Sequence, residues 1–159
     1  MTQNPYGKYL EGKDLLASLE QTPARIAAAC RGWRPAAFER SYAPGKWSGR
    51  VLLTHLAQME MVFATRLRFA LAQDGYEVQS FDQDPWMAVE RDADGPAAHE
   101  AYLALRRLNL DVCRRLTAEE RRRTCRHPDF GAIDVEWLMM QVAGHELHHL
   151  PQIEQIDPS

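Results

Sequence analysis

Apolar residues recur along this chain at a spacing near 3.6, the period of an amphipathic helix, and no segment alternates cleanly as a half-buried strand would. Four long segments carry that period. The first covers roughly residues 10–31, with Leu15, Leu16, Leu19 and Ile26 as its stripe. Thr22-Pro23 marks a kink or a restart within it, because Thr caps helix N-termini and Pro suits the first helical position. Residues 42–48 read as a turn that ends in Ser48, the expected N-cap of the second helix. That helix runs to about Asp74-Gly75, with Val51, Leu52, Met59, Val62 and Phe63 facing inward and His55 on the same stripe.

Residues 76–86 read as a loop. Asp94-Gly95-Pro96 then starts a third helix, with Ala101, Leu105, Leu108, Val112 and Leu116 on one side. Thr117 and Glu120 have the spacing of a capping box and predict a short extra turn. His127-Pro128-Asp129-Phe130-Gly131 breaks the pattern, and Asp134 can cap a fourth helix through Trp137, Leu138, Val142, His145 and His149. Four helices with one apolar face each bury those faces best against one another. The expected fold is all-α: one domain over 1–159, a four-helix bundle with one short extra helical turn and little or no strand.

Composition narrows the function classes. Of 159 residues, 45% are hydrophobic and 26% charged, as in ordinary globular chains. A net charge of −3 provides no bulk attraction to nucleic acid or to an anionic membrane, so neither is expected as a partner. The clusters Arg106-Arg107, Arg114-Arg115 and Arg121-Arg122-Arg123 read as a solvated helix face, since acidic residues are spread among them. No apolar run is long enough to span a bilayer. Residues 1–6 lack the basic and apolar regions of a signal peptide. Three cysteines without CxxC spacing read as free thiols in a reducing compartment, and the expected location is cytoplasmic.

The chemistry concentrates in Gly144-His145-Glu146-Leu147-His148-His149-Leu150-Pro151-Gln152. On a helix, His145 and His149 differ by about 40° in direction and about 6 Å in height, so both imidazoles can reach one ion. This resembles the spacing of the histidine pair in HExxH metalloproteases, but with Leu147 and His148 after Glu146 the HExxH spacing is read as not met. His148 points about 100° away from His149 and is the second-choice ligand. His55, a titratable residue on an otherwise apolar stripe, is the natural third ligand. His99 lies at a helix start and His127 in a loop, and both fit less well. Read by itself, the helical pair is also compatible with a surface or core pair, and His55 with a satisfied core histidine. A shared cation would satisfy all three together, because unpaired polar groups in a core are costly. Pro151 cannot donate to the Leu147 carbonyl and should bend or end the last helix, moving Gln152 relative to the site.

Several segments together resemble the DinB-like superfamily of metal-binding helical bundles. Pro44-Gly45-Lys46-Trp47-Ser48, then His55-Leu56 with Glu60 and Arg66, is similar to that family's first signature. Phe81-Asp82-Gln83-Asp84 with Trp86 is similar to its middle loop. His127-Pro128 through Gly131, then His145, His148, His149 and Gln152, is similar to its last helix. The resemblance implies a four-helix bundle, often a homodimer, with His55, His145 and His149 as metal ligands. Trp33 and Trp86 add exposed-looking aromatics to the dimer expectation. Members with a known reaction include transferases and isomerases that use low-molecular-weight thiols. The first functional expectation is therefore a metal-dependent transferase acting on a small molecule with a small thiol. A metal-dependent hydrolase and a non-catalytic, stress-associated metal-binding protein are the alternatives. All-imidazole ligation suits Zn, Ni, Fe or Cu. Glu60, Asp84 and Gln152 are polar candidates near the site, and no spacing assigns any of them as general base. With ordinary imidazole pKa values near 6.5, such a site would release its metal between about pH 7 and about pH 5.

Overall fold

The computed structural model describes residues 3–158; Met1 and Thr2, part of the segment read for a signal sequence, lie outside the described residues. A 3₁₀ turn, Gly7–Leu10, precedes α1 (Leu15–Ala29), α2 (Pro35–Phe38), α3 (Gly49–Ala72), α4 (Gln83–Val89), α5 (Gly95–Arg115) and α6 (Ala118–Arg121). Strands β1 (Thr124–His127) and β2 (Gly131–Asp134) form a small antiparallel hairpin, and α7 (Val135–Glu154) closes the chain. The four long helices are α1, α3, α5 and α7. Each of α1 and α3 packs against both α5 and α7, so α1 and α3 stand diagonally across the bundle. Among the described residues no helix is long and apolar enough to cross a membrane.

The caps explain where the helices begin. Ser48 accepts from the Val51 N–H and Asp134 from the Trp137 N–H. Asp94 accepts from the Ala97 N–H, with Pro96 in the first turn of α5. Thr117 and Glu120 form a reciprocal capping box on α6. Each bond satisfies an N–H that the first helical turn leaves without a partner. The first helix differs from expectation at its start. Asp14 caps it, accepting from the Ala17 N–H, and the residues before it form the separate 3₁₀ turn. α1 then runs without a break through Pro23. α7 likewise continues through Pro151 to Glu154. The segment expected as a loop becomes helical from Gln83, where Asp82 accepts from the Asp84 N–H and caps α4.

The face of α5 is the main correction. Leu108 is 56% exposed and Ala101 is exposed, while Tyr102, Arg106, Asn109, Leu110 and Cys113 face inward. Arg106, read as part of a solvated cluster, is 1% exposed. Trp33, expected at the surface, is buried; Trp86 is 40% exposed.

The core falls into two apolar parts. One, toward the hairpin, holds Leu19, Phe63, Leu67, Leu110, Ile133 and Met139. The other, toward α2, holds Ile26, Leu52, Leu56, Tyr102, Leu150 and Ile153. Along α3, α5 and α7, the positions between these parts are polar: Glu60 on α3, Arg106 and Asn109 on α5, and His145, Glu146 and His149 on α7. The bundle therefore carries a polar belt across its middle, where burial makes every unpaired group expensive.

Candidate metal centre

His55 enters the belt from α3, and His145 and His149 enter one turn apart from α7. All three are buried, and one ring nitrogen from each lies within 4.8 Å of the others. His145 Nε2 stands 2.9 Å from His55 Nε2 and 3.1 Å from His149 Nε2. His148 lies outside this group. It is half-buried, and its Nδ1 pairs with the Tyr9 hydroxyl at 2.7 Å. His99 and His127 are also elsewhere, His127 at the end of β1.

Protonation decides what this arrangement can do. A neutral imidazole has one N–H and one lone pair. His149 Nδ1 donates to Gln152 Oε1 at 2.9 Å, which leaves the His149 Nε2 lone pair directed at the cluster. His145 Nε2 has two nitrogen neighbours, so at most one of its two contacts can be a full hydrogen bond. Protonating the rings does not help, because burial and their mutual repulsion hold them neutral. His55 is lowered to about 3, by burial and then by His149. His149 is lowered to about 4 by burial, against the opposing pull of the Gln152 bond. His145 lies well below its ordinary value for the same reasons. The donor set fits a divalent ion: three neutral nitrogens converge, and ligand nitrogens about 2.0–2.1 Å from a four-coordinate ion stand about 3.3 Å apart. The two separations from His145 Nε2 need only a few tenths of an ångström of adjustment. His55 Nδ1 and His145 Nδ1 have no hydrogen-bond partner among the described residues, so the protein orients those two rings by packing alone.

That packing is aromatic. Trp47 lies nearly parallel to His149, with ring centroids 6.0 Å apart, and meets His55 edge-on at 5.2 Å. Tyr6 meets His145 edge-on at 5.0 Å. Gly144 permits this last contact. A Cβ there would lie 2.5 Å from the Tyr6 carbonyl oxygen and 2.8 Å from Tyr6 Cβ. The Asn4 side chain anchors the same segment by donating to the Trp137 carbonyl at 3.0 Å.

The segment His145-Glu146-Leu147-His148-His149 does satisfy the residue order HExxH, in which the glutamate serves as general base. Here Glu146 has a different role. It is 1% exposed and accepts from the Tyr102 hydroxyl and, at 2.9 Å, from Arg106. Arg106 also holds Glu60 at 2.5 Å, and Asn109 donates to Glu60 Oε2 at 2.9 Å. Burial pushes Glu146 up to about 7 against the pull of Arg106, and Glu60 is raised by burial as well. Neither carboxylate hydrogen-bonds to any of the three imidazoles. Asp84 is exposed on α4. Of the three polar candidates, only Gln152 touches the cluster, and α7's continuation through Pro151 keeps it there. Sequence reading missed Tyr6, Tyr102, Arg106, Asn109 and Glu146. The usable signal was a helical one: Tyr102, Arg106 and Asn109 recur at i, i+4, i+7 on α5.

The chain's own thiols are unsuited to nucleophilic work. Burial pushes Cys30 up to about 12 and Cys113 up to about 11, and Cys125 is raised too.

Similar proteins agree with this architecture. A protein of Oceanobacillus iheyensis named "Putative metal-dependent hydrolase OB0413" is 28% identical over 142 residues, covering 87% of this chain and 81% of the relative. "Putative metal-dependent hydrolase YfiT" of Bacillus subtilis is 23% identical over 141 residues, covering 87% and 79%. A solved structure of YfiT from Bacillus subtilis, described as a probable metal-dependent hydrolase with an unusual four-helix bundle topology, superposes with a TM-score of 0.76 at 22% identity, over 96% of this chain and 86% of that one. The family model of the DinB superfamily matches residues 18–153, and the chain belongs to that superfamily.

Proposed function

We propose that this protein is a metal-dependent hydrolase in which His55, His145 and His149 hold one divalent ion. The observation that carries the reading is the convergence of three buried imidazole nitrogens that cannot all hydrogen-bond to one another. The names of the relatives support hydrolysis as the reaction class. When bound, such an ion acts as a Lewis acid and lowers the pKa of a coordinated water or thiol. The chain's own residues do the rest. Gln152 fixes the His149 tautomer, Trp47 and Tyr6 set the ring orientations, and the low pKa values keep all three rings neutral at neutral pH. Zinc, nickel and iron all suit three imidazoles.

A second reading, transfer involving a low-molecular-weight thiol, is favoured by one observation. Among the described residues no carboxylate hydrogen-bonds to the imidazoles, and Glu146, at the position of the HExxH base, is engaged by Tyr102 and Arg106 instead. A thiol, with a pKa near 8.5, needs far less help than water. The test uses protein purified without a nickel column, analysed for metal, and assayed against ester, amide and electrophilic substrates with and without added small thiols. Turnover without thiol, abolished in His145→Ala, supports the hydrolase. Turnover only with thiol supports the transferase. Bound metal with no turnover in either arm indicates a binding protein. Self-association as a homodimer is also proposed; it rests on Trp86 at the surface now that Trp33 is buried, and light scattering tests it.

A further inference from the structure

Arg66, on α3, is the second buried arginine beside Arg106 on α5, and among the described residues it touches no carboxylate where Arg106 touches two. It is 7% exposed, donates to the Gln79 carbonyl oxygen at 2.9 Å, and forms no ion pair among the described residues, although Asp129 favours its charged form from beyond contact distance. A guanidinium has five N–H donors, and a buried one without a carboxylate is costly. It lines a cavity of about 100 Å³ whose apolar wall is Met61, Val62, Tyr76, Phe81 and Trp86 and whose other lining residues, Thr65, Gln79 and Ser80, are polar. Phe81 and Trp86 meet edge-to-face at 5.1 Å. Met61 and Trp86 are 37% and 40% exposed, so the cavity opens to solvent through large apolar side chains. An apolar protein cavity of about 150 Å³ holds benzene, so this smaller, open pocket would enclose an aryl ring only in part, leaving its outer edge at the solvent-facing side chains of Met61 and Trp86.

We propose that this cavity binds a small aryl carboxylate, with the carboxylate on the Arg66 guanidinium and the ring against Met61, Phe81 and Trp86. The ligand supplies a carboxylate in direct contact, which Asp129 does not, and a planar carboxylate matches the guanidinium fork. The site is distinct from the metal centre. Arg66 lies eleven residues beyond His55, three turns or about 16 Å along α3. The inference therefore stands or falls without the metal reading.

The experiment is a ¹⁹F NMR titration of metal-free protein with 4-fluorobenzoate and with its uncharged counterpart, 4-fluorobenzamide. The benzoate should bind saturably and the benzamide about tenfold more weakly or worse, the loss expected for removing a charged hydrogen-bond partner. Trp86→Ala, at a solvent-exposed position, should weaken benzoate severalfold with unchanged circular dichroism. Arg66→Gln, if it folds, should bind the two probes alike. His149→Ala should bind benzoate as the parent does. Equal binding of acid and amide to the parent protein, no binding of the acid at millimolar concentration, or unaltered binding in Trp86→Ala would overturn the proposal. So would loss of benzoate binding in His149→Ala, which would place the probe at the imidazoles.

Discussion

Helices α3 and α7 each bring both an imidazole and a carboxylate into the middle of the bundle, and the two kinds of group meet different fates there. The carboxylates Glu60 and Glu146 are met by Arg106, Tyr102 and Asn109, all from α5. The imidazoles of His55, His145 and His149 are met mainly by one another, with Gln152 as the single hydrogen-bonding partner outside the trio among the described residues. The first cluster is nearly closed: one cation and two neutral donors from a third helix answer most of its polar atoms, leaving Arg106 Nε and Glu146 Oε2 without a hydrogen-bond partner among the described residues. The second is open, since nothing in the protein can satisfy three converging nitrogens. A buried polar cluster that the protein completes holds helices in register, whereas one left incomplete is organised around something that binds. Helical phase sorts the two. Glu60 is five residues from His55, about 140° around α3, and Glu146 is about 100° from His145 on α7.

The largest expected effect tests the closed cluster. Arg106→Ala leaves two carboxylates buried without their cation and should cost about 3–5 kcal/mol, read by urea denaturation. A loss below about 1 kcal/mol would show that the belt is far more hydrated than its burial implies. Removing a member of the open cluster should behave in the opposite way. His149→Ala, and likewise His55→Ala, should lower metal occupancy sharply while helical content and metal-free stability stay close to the parent's, because each removes a nitrogen the apoprotein cannot satisfy. His148→Ala should keep its metal. Metal loss in His148→Ala with normal occupancy in His149→Ala would overturn the ligand assignment.

The pH response sharpens the contrast. A histidine with a lowered native pKa takes up its proton more readily in the unfolded chain. The metal-free protein should therefore lose stability as pH falls below about 6.5, the loss continuing until the native rings titrate, about 4 for His149 and about 3 for His55. Protons compete with metal at the same nitrogens, so retention in the folded protein should persist at pH 5 and fail toward pH 4, lower than ordinary imidazoles would allow. Dialysis against buffered free zinc across this range checks it; half-loss near pH 6 would mean that the rings are more hydrated than their burial indicates. Glu146, raised to about 7, works in the other direction. Its native state holds the proton more tightly, so its contribution is full below about 4.3 and is lost as pH rises through about 7.

Smaller effects come from the groups that orient the rings. Gln152→Leu removes the acceptor of the His149 Nδ1–H and should weaken metal binding about tenfold with the fold intact, measured by competition with a chelator. Gly144→Ala should act less directly. The added methyl meets Tyr6 backbone, so the segment around Tyr6 must shift and the His145 ring loses its edge-on neighbour. Faster amide exchange near the 3₁₀ turn, with a small drop in metal affinity, is the expected result.

Much of this protein was legible in local pattern. Helix starts at Ser48, Asp94, Thr117 and Asp134 follow from capping chemistry within three residues of each cap, and the pairing of His145 with His149 follows from helical geometry within one turn. These depend on neighbours in the chain, so the chain alone determines them. The face of α5 was not legible. A stripe through Leu105, Leu108 and Val112 competes with one through Tyr102, Arg106 and Asn109, and hydrophobicity favours the wrong one. Only when α3 and α7 present Glu60 and Glu146 from two sides does burying Arg106 become favourable, because its desolvation is offset by two acids far away in sequence. The same limit applies to Glu146. Its place in HExxH is a property of the sequence, but its partner was decided by α5, which turns the carboxylate into a strut and leaves the imidazoles without a base.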